Sequence, residues 1–353
     1  MLNQNKKDFL SKTVEDQERL REEFANKKSA KEYISYEKAV ENKVKIDWDG
    51  SSMVAPSFTG SKILSDISID ALIPYIDWTP FFIAWELHGK YPAILQDEKV
   101  GAEATKLQAD ALAMLNKITE EKWLQAHAVV GFWPANSNGK DSVVLMDEKN
   151  KEELELQFLR QQIKKAEGQP NISLADFIAP ADTSKQDHIG AFAVTIKGIE
   201  EHIKGFEASH DDYNKIMLQA LADRLAEALA EFVHREVRTN LWGYAKDEIL
   251  NNDQLISEDY TGIRPAPGYP ACPDHTEKRK LFHLLDATNA VGIDLTSSLA
   301  MYPASSVCGW YFSHPESKYF GVGKIEKDQF TDYAQRKGMD EEEAEKWLRP
   351  ILS

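Results

Sequence analysis

Four of the ten residues from Arg264 to Pro273 are proline, in the run Arg-Pro-Ala-Pro-Gly-Tyr-Pro-Ala-Cys-Pro. Such a run cannot be helical: each proline fixes φ, removes an N–H and pushes the residue before it toward extended geometry. The segment must be a stiff strap, short of donors and rich in free carbonyls. Gly268 is the one point where another group can approach the backbone closely. Arg264, at its head, is a planar fork of donors suited to a carboxylate. A rigid surface loop would satisfy the prolines alone, but it would not explain an Arg, a Gly and a Tyr placed together on the strap.

The remaining chain supplies ample material for a core. It has 353 residues and a formal charge of -16, which disfavours nucleic-acid backbones and anionic membranes as partners. No apolar stretch is long enough to span a bilayer, and the N-terminus lacks the apolar centre of a signal peptide, so a cytoplasmic protein is expected. Two cysteines, Cys272 and Cys308, make no disulfide framework and fit a reducing compartment.

Residues 1–42 are polar, with a thin stripe of Phe9, Leu10, Val14, Leu20, Phe24 and Tyr33 that predicts exposed amphipathic helices in a linker or partner-facing arm. Residues 43–353 read as one domain. Thr79-Pro80 predicts a helix start, with Thr79 as cap. Helical periodicity covers 102–123 and, most strongly, 213–237, where Leu218, Leu221, Leu225, Leu229 and Phe232 share a face. A further helix is expected over 277–289, and two more at the C-terminus, split by Gly338. Strands are expected over 128–133, 142–146, 189–196, 306–312 and 319–324. Helices and short strands without a βαβ rhythm indicate the α+β class.

Asp77 is a lone carboxylate among large rings (Tyr75, Trp78, Phe81, Phe82, Trp85). It fits either a helix cap within an aromatic cluster or an anion for an amine or sulfonium. Asp223, Glu227 and Glu231 lie at i, i+4 and i+8 on one helix face, and Glu231 with His234 forms a single E-x-x-H. One such motif is half of what a di-iron bundle needs, so a solvated or hydrogen-bonded face is expected. The preceding His210-Asp211-Asp212 suits the helix N-terminus. Cys272, His275, Cys308 and His314 have the wrong spacing for structural zinc, and buried free thiols are the better reading. Phosphate loops, dinucleotide fingerprints and nucleophile elbows are absent. A chain with a gripping strap and no nucleophile–base pair is built to bind.

The strap from Arg264 to His275, the segment Tyr75-Ile-Asp-Trp-Thr-Pro-Phe-Phe82, His210-Asp-Asp-Tyr-Asn-Lys-Ile-Met217 leading into Ala222–Ala228, and Gly309-Trp-Tyr-Phe-Ser-His-Pro315 resemble the activation domain of cobalamin-dependent methionine synthase. The likeness extends over about residues 43–353, and more weakly to the family's interdomain linker before them. It implies a C-shaped α+β domain around a twisted antiparallel sheet that binds S-adenosylmethionine. In that family S-adenosylmethionine held by the domain supplies the methyl group that restores methylcobalamin during reductive reactivation, with an electron from flavodoxin or a related flavoprotein. By position, Asp77 and Glu227 would supply acidic contacts, Arg264 would hold the ligand's carboxylate, and Ala266 and Gly268 would offer strap backbone. Tyr319 and Phe320 would lie beside the ligand, and Tyr269 and His275 would face the corrin.

The physical chemistry agrees with that implication. S-adenosylmethionine offers a carboxylate, an ammonium and a sulfonium, which match an Arg, a carboxylate and aromatic or carbonyl surroundings. A methyl passed to a cobalt nucleophile needs positioning and no general base. The cobalamin motif D-x-H-x-x-G is missing, as are the homocysteine and folate modules, so cobalamin is expected on a separate module and the chain is not expected to make methionine alone. A sensing and docking module for S-adenosylmethionine is the alternative of another class; methyl transfer to an added cobalamin module separates the two.

Overall fold

The computed structural model describes residues 11–19, 21, 31–50 and 53–353. Phe9, Leu10, Leu20 and Phe24 of the expected apolar stripe lie outside these. Residues 11–19 are helical, with Val14 exposed. From Tyr33 onward the chain is bound to the body: Tyr33 bridges Ile163, the Ile34 amide donates to Gln162 at 2.9 Å, and the Tyr36 amide donates to Asp328 Oδ2 at 2.6 Å.

Among the described residues eight strands form: β1 (Gly60–Leu64), β2 (Gln125–Ser137), β3 (Ser142–Asp147), β4 (Glu152–Gln157), β5 (Asp187–Lys197), β6 (Asp294–Leu295), β7 (Met301–Tyr302) and β8 (Ser306–Tyr311). The main sheet runs β4-β3-β2-β5-β8, with β1 also on β2, and every pairing is antiparallel. β6 and β7 make a separate ribbon. The long β2 reaches both β1 and β3 because its middle residues, 128–132, pair with β1 (Phe132 opposite Gly60) and its last residues with β3 (Ala135 opposite Leu145).

Both faces of the sheet are covered. Val130, Phe132, Phe192 and Val194 pack into one layer with α1 (Trp78–Ala84), α2 (Gly101–Glu120) and α3 (Asp212–Glu236). Val129, Trp133, Ala191, Cys308 and Trp310 point the other way, into a layer with α4 (Glu277–Leu285) and Leu174 to Phe177. Two-sided burial is why β5 reads as an unbroken apolar run and not as an alternation. α5 (Lys327–Lys337) and α6 (Glu341–Leu348) close a third, smaller cluster with Leu159, Val322 and Ile325. The architecture is α+β, a twisted antiparallel sheet flanked by helices.

Several expectations are corrected. α1 begins one residue before Thr79 and is capped by Asp77, whose Oδ1 accepts from the Thr79 amide at 3.0 Å; Thr79 lies inside the helix and its hydroxyl accepts from Tyr91. The helix expected over 277–289 breaks at Asp286, which takes φ of 50°. Residues 319–324 join no ladder: Gly323 adopts φ of 74°, and the Val322 amide donates to Pro270 O at 2.9 Å instead of to a strand.

One buried carboxyl sets a pH dependence. Asp187 sits at the head of β5, 5% exposed, accepting from the Ala179 and His188 amides at 2.9 and 2.7 Å. Burial outweighs these bonds and raises its pKa to about 6. With a folded-state pKa above the ordinary value, folding takes up a proton, so this group's stability is present below about pH 4 and lost as pH rises through 6. Two pKa units correspond to about 2–3 kcal/mol. The difference in unfolding free energy between Asp187→Asn and wild type should therefore shift in favour of the variant by that amount from pH 4 to 6.5, in urea titrations. A flat difference would refute the assignment.

Candidate functional site

The strap is clipped along the open edge of β8. Ile263 and Phe312 exchange backbone bonds of 3.0 Å in each direction, and Trp310 N donates to Pro265 O at 2.9 Å. Proline suits this place, because an edge partner can accept without donating. Gly309 makes the approach possible: a Cβ there would stand 3.0 Å from Pro265 O. The strap is extended only through Ala266. It then folds into a double turn, in which Gly268 N donates to Cys272 O, Tyr269 N to Ala266 O, and Cys272 N to Tyr269 O. Gly268 holds φ of 99°, and a Cβ there would lie 2.2 Å from the His275 ring, so only glycine lets the two meet.

Between the strap and α3 lies a cavity of about 460 Å³. Glu227, Glu258, Arg264 and Tyr319 give it polar walls; Phe192, Phe320, Val307 and the strap's Pro265–Ala266 and Tyr269–Ala271 give it apolar ones. Tyr269 is 63% exposed. The structure thus brings six of the nine residues singled out in the sequence onto one cavity: Glu227, Arg264, Ala266, Tyr269, Tyr319 and Phe320. Gly268 and His275 pack against each other in the strap beside it. Asp77 caps α1 and does not line the cavity.

Arg264 is held from behind. Its Nη1 donates to Glu231 Oε2 at 2.5 Å, to Tyr260 OH at 3.2 Å, and lies 3.2 Å from His234 Nδ1. Its backbone N–H donates to Tyr319 OH at 3.0 Å, and Tyr319 OH lies 3.0 Å from Tyr260 OH. Arg238 steadies the same group, 3.5 Å from Glu231 Oε1, 2.8 Å from Glu248, and 4.5 Å above the Tyr260 ring. His234 is fully buried, stacked on Tyr311, and burial together with Arg238 and Arg264 holds its pKa well below the usual imidazole value. A neutral ring is what lets Nδ1 accept from Arg264. The described bonds of the guanidinium all leave from Nη1, which leaves the rest of the fork for an anion in the cavity.

The carboxylates of α3 therefore divide by depth. Asp223 is exposed and accepts from Ser305 Oγ at 2.7 Å, Glu227 is exposed and faces the cavity, and Glu231 is 6% exposed and bonded to Arg264, so the face is solvated at its outer end and hydrogen-bonded at its inner one. Glu258 and Tyr260 carried no sequence signal beyond closeness to Arg264; burial raises the Glu258 pKa, with Arg264 opposing. Cys272 and Cys308 are free and buried, the latter's pKa pushed up to about 12 by burial. Among the described residues no group of three or more His, Cys, Asp or Glu side chains could hold a metal ion. No described helix is long and apolar enough to cross a membrane.

Residues 68–338 match the family model of the vitamin B12-dependent methionine synthase activation domain. The structure is similar to the crystal structure of the MetH reactivation domain bound to AdoHcy, with a TM-score of 0.87 and 49% identity over 91% of this chain and 99% of that one. Strap, cavity, antiparallel sheet and sequence match agree: the chain belongs to the family of vitamin B12-dependent methionine synthase activation domains.

Proposed function

We propose that the cavity beneath the strap binds S-adenosylmethionine and presents its methyl group to reduced cobalamin carried by another module of methionine synthase, the 5-methyltetrahydrofolate–homocysteine methyltransferase. The observation that carries this reading is the Arg264 fork, fixed through Nη1 by Glu231 and open on its other side in a cavity that also holds Glu227, Glu258 and aromatic rings. The AdoHcy in the related structure supports it, since AdoHcy is what S-adenosylmethionine becomes on losing its methyl. Arg264 would take the ligand's carboxylate. A carboxylate of the cavity, or Asp77, would take its ammonium. The prefolded strap sets its carbonyls with little ordering cost on binding.

Reduced cobalamin supplies the nucleophile. The methyl would pass to that nucleophile's electron pair as the sulfur–methyl pair stays on sulfur, which leaves AdoHcy and needs no side chain to move a proton. The protein's share is to hold the methyl in line and to keep the cavity's charges fixed. Flavodoxin or a related flavoprotein would supply the electron, and the cobalamin-bearing module would be the docking partner. Calorimetric titration with S-adenosylmethionine, followed by methyl transfer to an added cobalamin module under reducing conditions, tests the reading. Binding without transfer would favour a sensing module.

Asp77→Asn separates cap from contact. Asn caps helices as well as Asp does, so α1 keeps its bond to the Thr79 amide and the melting temperature should be unchanged. If the carboxylate meets the ligand's ammonium, affinity for S-adenosylmethionine falls by about two- to fivefold, the scale of a partly hydrated ion pair. Unchanged affinity would confine Asp77 to capping.

A further inference from the structure

His275 is tied to the strap and to α4 at once. Its half-buried ring lies against Gly268, and its Nδ1 is 3.1 Å from Lys278 Nζ. Lys278 is itself 7% exposed and donates to Leu299 O at 3.0 Å. The turn that carries His275 into α4 is locked. Asp274 accepts from the Thr276 amide at 2.7 Å and from Tyr333 OH at 2.6 Å, and it lies 3.3 Å from Lys337, which also pairs with Glu277. A lysine ammonium has three donors and no acceptor. The ring nitrogen facing it must therefore carry a lone pair, and the proton of a neutral imidazole must sit on the other nitrogen. No described residue hydrogen-bonds to that other nitrogen, Nε2.

From this contact we infer that Lys278 is a positioning residue, which holds His275 as its Nε2–H tautomer so that the strap offers a hydrogen-bond donor to whatever docks over it. The matching chemistry on the docked partner is an acceptor such as a carboxamide oxygen, of which the corrin rim of cobalamin carries several. That use rests on the proposed function; the tautomer does not. The charges that bear on His275 are the Lys278 ammonium, which disfavours an imidazolium, and Asp274, which favours one; burial and Lys278 prevail and keep the ring neutral.

Long-range nitrogen–proton correlation spectra of the full chain, recorded near pH 7, read the tautomer directly. The expected result is an unprotonated Nδ1 and a protonated Nε2 on His275 in wild type and in Lys278→Arg, which also only donates. Lys278→Met should give a tautomer mixture and a higher imidazole pKa. Lys278→Gln, whose amide can accept as well as donate, serves if the Met variant fails to fold. Association with a cobalamin-loaded module should weaken about three- to tenfold in the Met or Gln variant and recover in Lys278→Arg, the scale of one hydrogen bond. A protonated Nδ1 in wild type, as an imidazolium or as the other tautomer, overturns the inference. So does association indifferent to the tautomer. The spectra need neither S-adenosylmethionine nor cobalamin, so failure of the proposed function is distinguishable from failure of the lock.

Discussion

Arg264→Ala is expected to weaken S-adenosylmethionine binding by about 1.5–3 kcal/mol, or roughly ten- to 150-fold, the scale of a hydrogen bond between charged groups. Two losses combine in the variant. On the proposed binding mode the ligand carboxylate would lose its fork, and Glu231 is left buried with Arg238 3.5 Å away as its remaining ion-pair partner. The second loss weakens the fold as well as the site, so a lower melting temperature is expected alongside weaker binding. Arg264→Lys isolates the first: it keeps a cation for Glu231 but cannot serve two acceptors with a planar fork. The Lys variant should thus recover most of the stability and only part of the affinity. Calorimetric titration of wild type and both variants decides the matter. Wild-type affinity in a folded Arg264→Ala would remove the strap from the binding site.

The largest effect on stability is expected at Arg160. Its side chain is fully buried and forms a bidentate pair with Asp176 at 2.7 Å on both arms, with Asp141 a further 2.7 Å from Nη2 and Asn171 O accepting from Nη1 at 2.7 Å. The backbone of Arg160 is clamped in turn by the Gln329 amide of α5, at 2.7 and 3.0 Å, and Asp141 accepts from Tyr36 OH at 2.7 Å. Arg160→Met would leave two carboxylates in the interior without their cation. Removing one member of a buried ionic group costs about 3–5 kcal/mol. Urea unfolding should show a loss of that size. Adding Asp141→Asn and Asp176→Asn to the same chain should recover part of it, because uncharged groups need no buried counter-ion. If the triple variant is less stable than Arg160→Met, the penalty lies in lost hydrogen bonds and not in the stranded charge.

Much of this was legible in the residues because local pattern and tertiary demand coincide. The 213–237 periodicity marks α3 to within a residue at each end, and the apolar runs mark β2, β5 and β8, whose faces are both buried. β1 and β4 lacked that advantage. Gly-Ser-Lys-Ile-Leu and Glu-Glu-Leu-Glu-Leu-Gln are partly solvated edge strands, where burial imposes little pattern. The run from Tyr319 failed for the opposite reason: its residues look extended, but Gly321 and Gly323 break the run and its amide at Val322 is taken by the strap. At the site, the strap was readable from its prolines, whereas Tyr319 and Phe320 came only from the family resemblance. Glu231 was not, since three carboxylates spaced four apart look alike until the helix is set against the sheet. Nothing in the composition of α3 tells the residue that meets solvent from the one that meets Arg264.

The bond from Glu231 to Arg264 also has a thermodynamic reading. A free arginine side chain carries about 2 kcal/mol of rotamer entropy, which an unrestrained binding residue surrenders each time a ligand arrives. Here the guanidinium is immobilised as the domain folds, by a carboxylate, a tyrosine and a neutral imidazole, while a second tyrosine holds the backbone N–H of the same residue. In the proposed complex that ordering would fall on folding and not on each binding event, so ligand exchange would leave Arg264 as it was.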